Sequence, residues 1–312
     1  MQKLLVTGAS GFLGWHLCVI AQSEWVVHGC YRSRKLLPKA VCPHPIDLTD
    51  YKALKVLFRE LRPKAVIHSA GIRDVEFCQT HKSQSHAVNV RASENIAGLC
   101  ADSGALCLFV SSDLVFDGLK PPYREEDEVC PVNVYGTHKA TAEKQLIRRY
   151  PQAVICRLPL IYGPARPFGE SFIQPLMRAI KAKAPLTLFS DEFRTPISAG
   201  DAAVGLLLAL ERQPGILHIG GPQRVSRFEF GRLLAEILDA GDAKITPSRR
   251  CEADLQAPRP ADVSLDITKA HMLGFSPAPL REGLRWAASD VAFKMLRRKG
   301  ETRWRYPYTT RP

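Results

Sequence analysis

Three glycines near the start of the chain constrain its fold more than any other feature. Gly8, Gly11 and Gly14 follow a short apolar run that ends at Thr7, and apolar residues then recur at helical spacing. This order predicts a buried strand, a tight turn and a helix. Such a turn admits a phosphate to the backbone, and the N–H groups that open the helix attract an anion. The context favours a dinucleotide site over a glycine turn that binds nothing. The predicted cofactor contacts here are Gly8, Ser10, Gly11, Phe12, Leu13 and Gly14.

Short apolar runs alternate with amphipathic stretches through the first half of the chain. The predicted strands cover residues 4–7, 25–30, 41–46, 65–68, 106–110 and 153–158, with helical patterns after Gly11, Asp50, Ser83 and Asn133. Alternation of this kind is typical of a parallel sheet covered by helices on both faces. We therefore predict an α/β fold, a doubly wound parallel sheet of the NAD(P)-binding Rossmann type. Its ligand crevice would lie at the carboxyl ends of the strands.

The pattern changes after residue 160, where prolines and glycines become frequent and short helices mix with isolated strands. We predict a cofactor-binding domain over residues 1–160, a smaller C-terminal substrate-binding lobe over 161–290 and a basic tail over 291–312. Residues 216–220 form a candidate strand that returns to the main sheet. Asp201 is the predicted N-cap of a helix over 202–210. Ser226 and Glu229 form a capping-box pattern before a further helix.

Positive charge is concentrated at the C-terminal end. The formal net charge is +12, and residues 291–312 contain seven Lys or Arg residues against one Glu. Such a tail is more often a solvated terminus than a nucleic-acid contact, so we do not expect nucleic acid as a primary partner. The remaining positive charge suits an enzyme whose ligands are polyanions.

Composition is ordinary for a soluble globular protein, with 46% hydrophobic and 24% charged residues. No apolar run is long enough to span a bilayer, and the N-terminus lacks the order of a signal peptide. We therefore expect a cytoplasmic protein. The nine cysteines include no C-x-x-C pair and the histidines show no metal-ligand spacing, so we expect free thiols and no metal.

The residues after the second predicted strand bear on the choice of cofactor. In a doubly wound dinucleotide fold an acidic residue here binds the ribose 2′-hydroxyl, whereas arginine accommodates a 2′-phosphate. The chain has no acid here, and the planar donors of Arg32 and Arg34 suit phosphate. This favours NADP over NAD, although basic loop residues are often merely solvated. The predicted contacts are Tyr31, Arg32, Ser33 and Arg34, then Asp47 and Leu48 against the adenine, and Ser69, Ala70 and Gly71 at the middle of the cofactor.

Hydroxyl groups and a Tyr–Lys pair supply the predicted chemistry. Ser111 and Ser112 follow the fifth predicted strand, so they lie at the carboxyl edge of the sheet, over the cofactor. Tyr135 and Lys139 are four residues apart and share one face of a helix. A neighbouring ammonium favours the phenolate, so a tyrosine can exchange a proton nearer neutral pH. Y-x-x-x-K alone is usually an ordinary amphipathic pair. The pattern is informative here because it follows a glycine turn and a pair of serines in the order expected for a catalytic site.

By these motifs the chain resembles the extended short-chain dehydrogenases/reductases. The residues that carry the resemblance are the glycine turn over 7–14, residues 68–71, the pair Tyr135 and Lys139, and residues 157–163. Within that family the chain is most similar to the dTDP-4-dehydrorhamnose reductase group. The motifs of that group are residues 110–118, Arg194-Thr195-Pro196, and Arg259-Pro260 ahead of Leu265-Asp266. The resemblance covers residues 1–288 by the order of its motifs.

The resemblance implies that NADPH reduces a nucleotide-linked 4-keto sugar. Tyr135 would supply the proton to the carbonyl oxygen and Lys139 would lower the pKa of Tyr135. Lys139 would also hold the nicotinamide ribose, and Ser112 would orient the carbonyl. The predicted contacts to the substrate and its diphosphate are Asp113, Arg194, Arg259 and Arg178, of which Arg178 is equally well explained as a surface residue. A homodimer is compatible with this interpretation.

Two other functions stay open. An epimerase or dehydratase on the same scaffold would recycle a tightly bound cofactor, with Asp113 as its acid–base carboxylate. A non-catalytic regulatory subunit would resemble the beta subunit of methionine adenosyltransferase, which is similar to the same reductase group and binds NADP. The presence of Ser112, Tyr135 and Lys139 favours an active site. The sequence identifies neither the sugar nor the nucleotide.

Overall fold

The computed structural model describes residues 1–33, 36–164, 170–212 and 214–289. Arg34, a predicted cofactor contact, and the basic tail lie outside the described residues. The strands are β1 (Gln2–Thr7), β2 (Trp25–Tyr31), β3 (Cys42–Pro45), β4 (Ala65–His68), β5 (Leu106–Ser112), β6 (Val154–Leu158), β7 (Ile161–Tyr162), β8 (Leu186–Phe189), β9 (Phe193–Arg194), β10 (Ile197–Ser198), β11 (Gly215–His218), β12 (Val225–Ser226) and β13 (Ile245–Ser248). The helices are α1 (Phe12–Ala21), α2 (Tyr51–Leu61), α3 (Val75–Thr80), α4 (Lys82–His86), α5 (Ala92–Ser103), α6 (Val134–Arg149), α7 (Ile173–Lys181), α8 (Ala199–Leu210), α9 (Arg227–Ile237), α10 (Thr268–Met272) and α11 (Leu280–Ala288).

A seven-stranded parallel sheet runs through the centre of the molecule. Its strand order is β11-β6-β5-β4-β1-β2-β3, and every neighbouring pair is parallel. The chain winds outward from β1 in both directions, which confirms the predicted doubly wound α/β fold. Because β1 lies between β2 and β4, a crevice opens at the carboxyl ends of these strands. The edge strand β11 comes from the C-terminal part of the chain and lies beside β6.

Alternate residues of the central strand β1 face opposite layers of helices. Leu4 and Val6 pack in the cluster that includes α1 and α8, whereas Leu5 packs in the cluster that includes α2, α5 and α6. All three side chains are fully buried. Successive side chains of a strand point to opposite faces, so a strand covered on both sides is apolar throughout. This explains the uninterrupted apolar run before the glycine turn.

Helices α8 and α9 both begin at side-chain caps, and the cap of α8 differs from the prediction. The hydroxyl of Ser226 accepts from the Glu229 N–H at 3.0 Å, and the Glu229 carboxylate accepts from the Ser226 N–H at 2.7 Å. This confirms the capping box of α9. The prediction for Asp201 was wrong, because α8 begins at Ala199 and its N-cap is Ser198. The Ser198 hydroxyl accepts from the Asp201 N–H at 3.0 Å and donates to the Asp201 carboxylate at 2.7 Å, so Asp201 supports the cap from the first turn.

The C-terminal lobe has a core of its own. Helices α7, α9 and α11 pack with the parallel strands β8 and β13 around Phe230, Leu234 and Leu284, which are buried. Two short strand pairs, β7 with β10 and β9 with β12, lie in the same half of the chain. Within the described ranges, no helix is long and apolar enough to cross a membrane.

Candidate active site

The glycine turn between β1 and α1 is so tight that side chains cannot be added. Gly8 has φ of +68°, and a Cβ there would lie 2.8 Å from the Cα of Ala70 at the end of β4. A Cβ on Gly14 would lie 2.1 Å from the carbonyl oxygen of Gly8. The N–H of Gly11, the N-cap of α1, donates to the same carbonyl at 2.8 Å. The turn therefore brings backbone and the N-terminus of α1 to the crevice, which is the geometry that accommodates a phosphate.

A buried hydrogen-bond chain holds the end of β4 against the end of β1. His68 bonds the Thr7 hydroxyl at 2.6 Å through Nδ1 and the Ser93 hydroxyl at 2.9 Å through Nε2. Ser93 donates its only hydroxyl hydrogen to the carbonyl of Asn89, so the His68 Nε2–H donates to Ser93. Burial and the charge of Lys139 lower the pKa of His68 to about 3, and the ring is neutral. The hydrogen bonds therefore order this edge without adding charge.

The residues predicted to select the cofactor lie at the ends of β2 and β4. Arg32 and Ser33 are exposed immediately after β2. Asp47, on the loop after β3, accepts from the N–H and the hydroxyl of Thr49 at 2.9 and 2.7 Å. These bonds and the nearby charge of Arg32 lower the pKa of the Asp47 carboxyl. After β4, the Ser69 hydroxyl donates to the carbonyl of Thr7 at 2.7 Å, so it serves the turn.

Two predicted cofactor contacts have their side chains engaged elsewhere. Leu48 packs against the hydrophobic cluster that contains the buried face of α2. The Ser111 hydroxyl donates to the carboxylate of Glu143, which is itself paired with Arg157. The hydrogen of this hydroxyl is therefore used within the protein core.

Strand β5 brings Ser112 to the crevice and continues directly into a tight turn. It extends two residues beyond the predicted strand, so Ser112 is its last residue. The Ser112 hydroxyl donates to Asp113 Oδ1 at 3.1 Å and accepts from the Leu114 N–H at 3.2 Å. Helix α6 starts against this turn, because a Cβ on Gly136 would lie only 2.0 Å from the Leu114 carbonyl oxygen. The glycine next to Tyr135 thus lets α6 approach the end of β5.

Tyr135 and Lys139 occupy the first two turns of α6. The start of the helix is held by Asn133, whose Oδ1 accepts from the Gly136 N–H at 2.9 Å and whose Nδ2 donates to the Pro258 carbonyl at 3.0 Å. Tyr135 lies close enough to Ser112 for the serine hydroxyl to lower the pKa of its phenol. The Lys139 ammonium lies at the same edge, and a Cβ on Gly71 would lie 3.9 Å from its nitrogen. Folding therefore brings Ser112, Tyr135 and Lys139 together beside the cofactor edge.

The acid–base properties of the Tyr–Lys pair differ from the prediction. Burial raises the pKa of Tyr135, the nearby Ser112 hydroxyl opposes this rise, and the charge of Asp113 adds to it. Burial lowers the pKa of Lys139 to about 8. The Lys139 ammonium donates to the carbonyl of Val110 at 2.7 Å. The pKa of Tyr135 is therefore raised overall, because the cost of burying a phenolate is the largest effect, and a lowering of this pKa by Lys139 stays a prediction.

A buried chain of charges lines the side of the site toward the C-terminal lobe. Arg194 donates to the Asp113 carboxylate at 2.8 Å and to Glu192 at 3.2 Å. Glu192 also accepts from Arg227 at 3.1 Å. Burial raises the pKa of Asp113 and the charge of Arg194 opposes that rise. Burial alone would raise the pKa of Glu192, but the neighbouring arginines lower it. The two residues predicted to hold substrate, Asp113 and Arg194, are thus bonded to each other.

The other two predicted substrate contacts, Arg259 and Arg178, pair with other carboxylates. Arg259 donates to Glu76 at 3.0 Å, and its buried Nε has no hydrogen-bond partner in the described part of the chain. Arg178 is exposed and forms a surface ion pair with Glu170 at 2.5 Å. A cavity of about 720 Å³ opens beside Arg259 in the C-terminal lobe. Its other lining residues are Ser190, Asp191, Arg249, Arg250, Cys251, Ala253, Leu255 and Pro258.

Sequence reasoning missed the residues that hold these groups in place. They are Glu76, Asn133, Glu143, Arg157, Glu192 and Arg227. A local signal existed for Glu143, because it lies four residues after Lys139 and therefore on the same helix face. Asn133 is an ordinary N-cap, and Glu192 lies two residues before Arg194, which it binds. The remaining partners are Arg157, Arg227 and Glu76, which lie at least 14 residues from the groups they bind. Among the residues described here, no cluster of three or more His, Cys, Asp or Glu side chains could hold a metal ion.

Comparison with known proteins assigns the chain to a family. The model of the RmlD substrate binding domain matches residues 1–293. The chain belongs to the RmlD substrate binding domain family. This confirms the resemblance to the dTDP-4-dehydrorhamnose reductase group that the motifs indicated.

Relatives of this RmlD family member carry different names. The chain is 30% identical to the beta subunit of methionine adenosyltransferase 2 from Xenopus laevis, over 91% of this chain and 86% of that protein. It is 31% identical to a probable low-salt glycan biosynthesis reductase from Haloferax volcanii, over 92% of this chain and 97% of that protein. A dTDP-4-dehydrorhamnose reductase from Bacillus anthracis, solved with NADP, has the same fold. Its TM-score is 0.79 at 23% identity, over 94% of this chain and 99% of that one.

Proposed function

We propose that the protein is an NADP-dependent reductase of a nucleotide-linked 4-keto sugar, with Ser112, Tyr135 and Lys139 as its catalytic residues. The observation that carries the proposal is the convergence of these three side chains at one edge of the sheet. Ser112 ends β5 and lies close enough to Tyr135 to affect the pKa of its phenol. The Lys139 ammonium lies close to Gly71, at the strand end adjacent to the glycine turn. The 31% identity to a probable reductase supports the same function.

The residues of the crevice fit a nicotinamide dinucleotide. A Cβ on Gly8 would overlap the backbone of Ala70, and one on Gly14 would overlap the Gly8 carbonyl, so glycine at both positions lets β1, β4 and α1 approach closely at the turn. The N-terminus of α1 adds a partial positive charge that suits a diphosphate. The exposed Arg32 and Ser33, with no acid at the end of β2, support NADP as the preferred form. NADPH would supply the hydride when bound.

Each catalytic side chain has a separate task in the proposed reaction. Tyr135 keeps its proton in the resting site, because burial raises its pKa, and donates it as negative charge develops on the carbonyl oxygen. Ser112 orients the same oxygen when its hydroxyl hydrogen turns from Asp113 to the substrate. An ammonium has three donors, so the bond from Lys139 to the Val110 carbonyl leaves others for a ribose hydroxyl.

The similarity to the beta subunit of methionine adenosyltransferase 2 supports a second candidate. At 30% identity over 91% of this chain, a non-catalytic subunit on the same scaffold is a specific alternative. Such a protein would bind NADP in the glycine turn and would not reduce a nucleotide sugar. The two candidates therefore share the cofactor site and differ in turnover.

Replacement of Tyr135 by phenylalanine tests the proposed reductase directly. The purified protein is mixed with NADPH and dTDP-4-dehydrorhamnose, and NADPH consumption is followed with time. We expect Tyr135→Phe to lower kcat by about 10²–10⁴-fold, because the proton donor is lost. The dissociation constant for NADPH should stay near that of the wild type, since the glycine turn is unchanged.

A second tyrosine of the same helix provides the control. Tyr150 follows the last turn of α6, at the opposite end of the helix from Tyr135, and Tyr150→Phe should retain wild-type turnover. Equal turnover in Tyr135→Phe and the wild type would contradict the assigned proton donor. NADPH binding without turnover on dTDP- or UDP-linked 4-keto sugars, together with co-purification with a partner enzyme, would favour the subunit.

A further inference from the structure

The carboxylate of Glu143 is buried one helical turn beyond Lys139. Only 5% of the Glu143 side chain is exposed, and only 3% of the side chain of its partner Arg157 is exposed. Arg157 donates to both carboxylate oxygens, from Nε at 3.1 Å to Oε1 and from Nη2 at 2.8 Å to Oε2. The Ser111 hydroxyl also donates to Glu143. A buried carboxylate with this many charge-assisted bonds is held in a single position.

The contacts of Lys139 and Glu143 attach α6 to two successive residues of β5. Lys139 bonds the Val110 carbonyl at 2.7 Å, and Glu143 bonds the side chain of the next residue, Ser111. Arg157 lies on β6 directly beside Ser111 in the strand register. Because three elements meet at Glu143, it sets the position of α6 relative to the end of β5. The same position determines where the Lys139 ammonium lies.

The other groups around Lys139 carry little compensating charge. His68 on β4 is neutral, and burial raises the pKa of the Cys78 thiol on α3. The ring of Phe109 on β5 lies 4.3 Å from the ammonium and offers a cation–π contact. Burial lowers the pKa of Lys139, and the negative charge of Glu143 opposes this by raising it.

We propose that Glu143 is a positioning residue that keeps the Lys139 ammonium charged and fixed at the end of β5. The inference rests on the proposed function, in which Lys139 acts beside Tyr135 and the nicotinamide ribose. Glu143 lies behind Lys139, bonded to Ser111 and Arg157, and acts only through it. Without the carboxylate, α6 would lose its contact with Ser111, and the ammonium would lose the charge that offsets its burial.

The test needs a variant that removes the Glu143 charge and still folds. Glu143→Gln alone leaves Arg157 buried without its partner and can prevent folding. The double variant Glu143→Gln/Arg157→Gln removes both charges and preserves side chains able to hydrogen-bond each other. The matched control is the exposed ion pair of Glu236 and Arg281, replaced by Glu236→Gln/Arg281→Gln.

The decisive measurement is the titration of Lys139 in the full-length protein. Lysine labelled with carbon-13 at Cε reports protonation by NMR, and the Lys139 signal is identified by its loss in Lys139→Arg. We expect the midpoint to fall by up to about one pH unit in the double variant and to stay unchanged in the control, because the Glu143 charge raises the pKa of Lys139 and loss of the Arg157 charge offsets only part of that effect. Glu143→Asp, which retains the charge, should restore most of the midpoint.

The outcomes separate this inference from the proposed function. A folded double variant with the wild-type midpoint would overturn the role of Glu143, whether or not the protein turns over a sugar. A lowered midpoint in a protein without turnover would support Glu143 and contradict the reductase. In an active protein, the basic limb of the pH profile for kcat/KM should move with the NMR midpoint. A purely structural role would lower activity equally at every pH.

Discussion

The two sides of the candidate site are built from different chemical groups. On the cofactor side, around Gly8 and Gly14, the walls are backbone, and the buried His68 is neutral. On the side toward the C-terminal lobe, Asp113, Arg194 and Glu192 form a buried chain of charges. The first side excludes additional atoms and the second depends on balanced charge. We therefore expect the cofactor side to be sensitive to added side-chain atoms and the side toward the C-terminal lobe to be sensitive to loss of charge.

Replacement of Arg194 by leucine should have the largest effect on stability. It leaves Asp113 and Glu192 buried without their shared cation, and breaking a buried pair in this way typically costs about 3–5 kcal/mol. The free energy of unfolding, measured with urea, should fall by this amount. The control Arg281→Leu breaks an exposed pair and should cost less than about 1 kcal/mol. Equal losses of unfolding free energy in Arg194→Leu and Arg281→Leu would show that the buried charges of the site are no more important for stability than a surface ion pair.

Replacement of Gly14 by alanine should have an intermediate effect on stability and a strong effect on binding. The new Cβ would lie 2.1 Å from the Gly8 carbonyl oxygen, so the turn or α1 must move. Overpacking of this kind costs about 1–3 kcal/mol, and NADPH affinity should fall with it. Gly241→Ala is the control, because a Cβ there meets no atom within 4 Å. An NADPH affinity equal to that of the wild type in Gly14→Ala would argue against the glycine turn as the cofactor-binding site.

Replacement of Arg32 by alanine should have the smallest effect and should be confined to one cofactor. The side chain is exposed, so its loss should leave stability unchanged. We expect NADPH affinity to fall about tenfold, because a charge-assisted bond to the 2′-phosphate is lost, while NADH affinity stays the same. Titration of each cofactor by fluorescence measures both constants, with the exposed Arg59→Ala on α2 as control. Equal effects on NADPH and NADH would argue against Arg32 as the 2′-phosphate ligand.

Much of the fold could be predicted because its signals are local. The glycine turn, the apolar strands and the capping box of α9 each depend on residues within one turn or one strand. Ser226 and Glu229, for example, are three residues apart and form the predicted reciprocal bonds. Asp201 shows the limit of such signals. Both Ser and Asp are favoured at N-cap positions, and Ser198 is the N-cap because the helical backbone of α8 already begins at Ala199.

The candidate site could be predicted only in part. Ser112, Tyr135 and Lys139 converge because strand order and helix spacing place them at one edge of the sheet. Two adjacent serines at the end of a strand point to opposite faces, so only one of them could face the crevice. Nothing in the sequence indicated that Glu143 would be the partner of Ser111. The raised pKa of Tyr135 had no sequence signal either, because burial depends on what packs around the helix.

The sequence by itself determined the order of strand, glycine turn and helix, and the four-residue spacing of Tyr135 and Lys139. These features depend on short-range geometry, so the chain encodes them in consecutive residues. Only the tertiary structure decided that Arg194 bonds Asp113, which is 81 residues away, and that Glu143 lies behind Lys139 against β5 and β6. Charges find partners across the fold according to packing and burial, and the sequence contains no local pattern that specifies the choice.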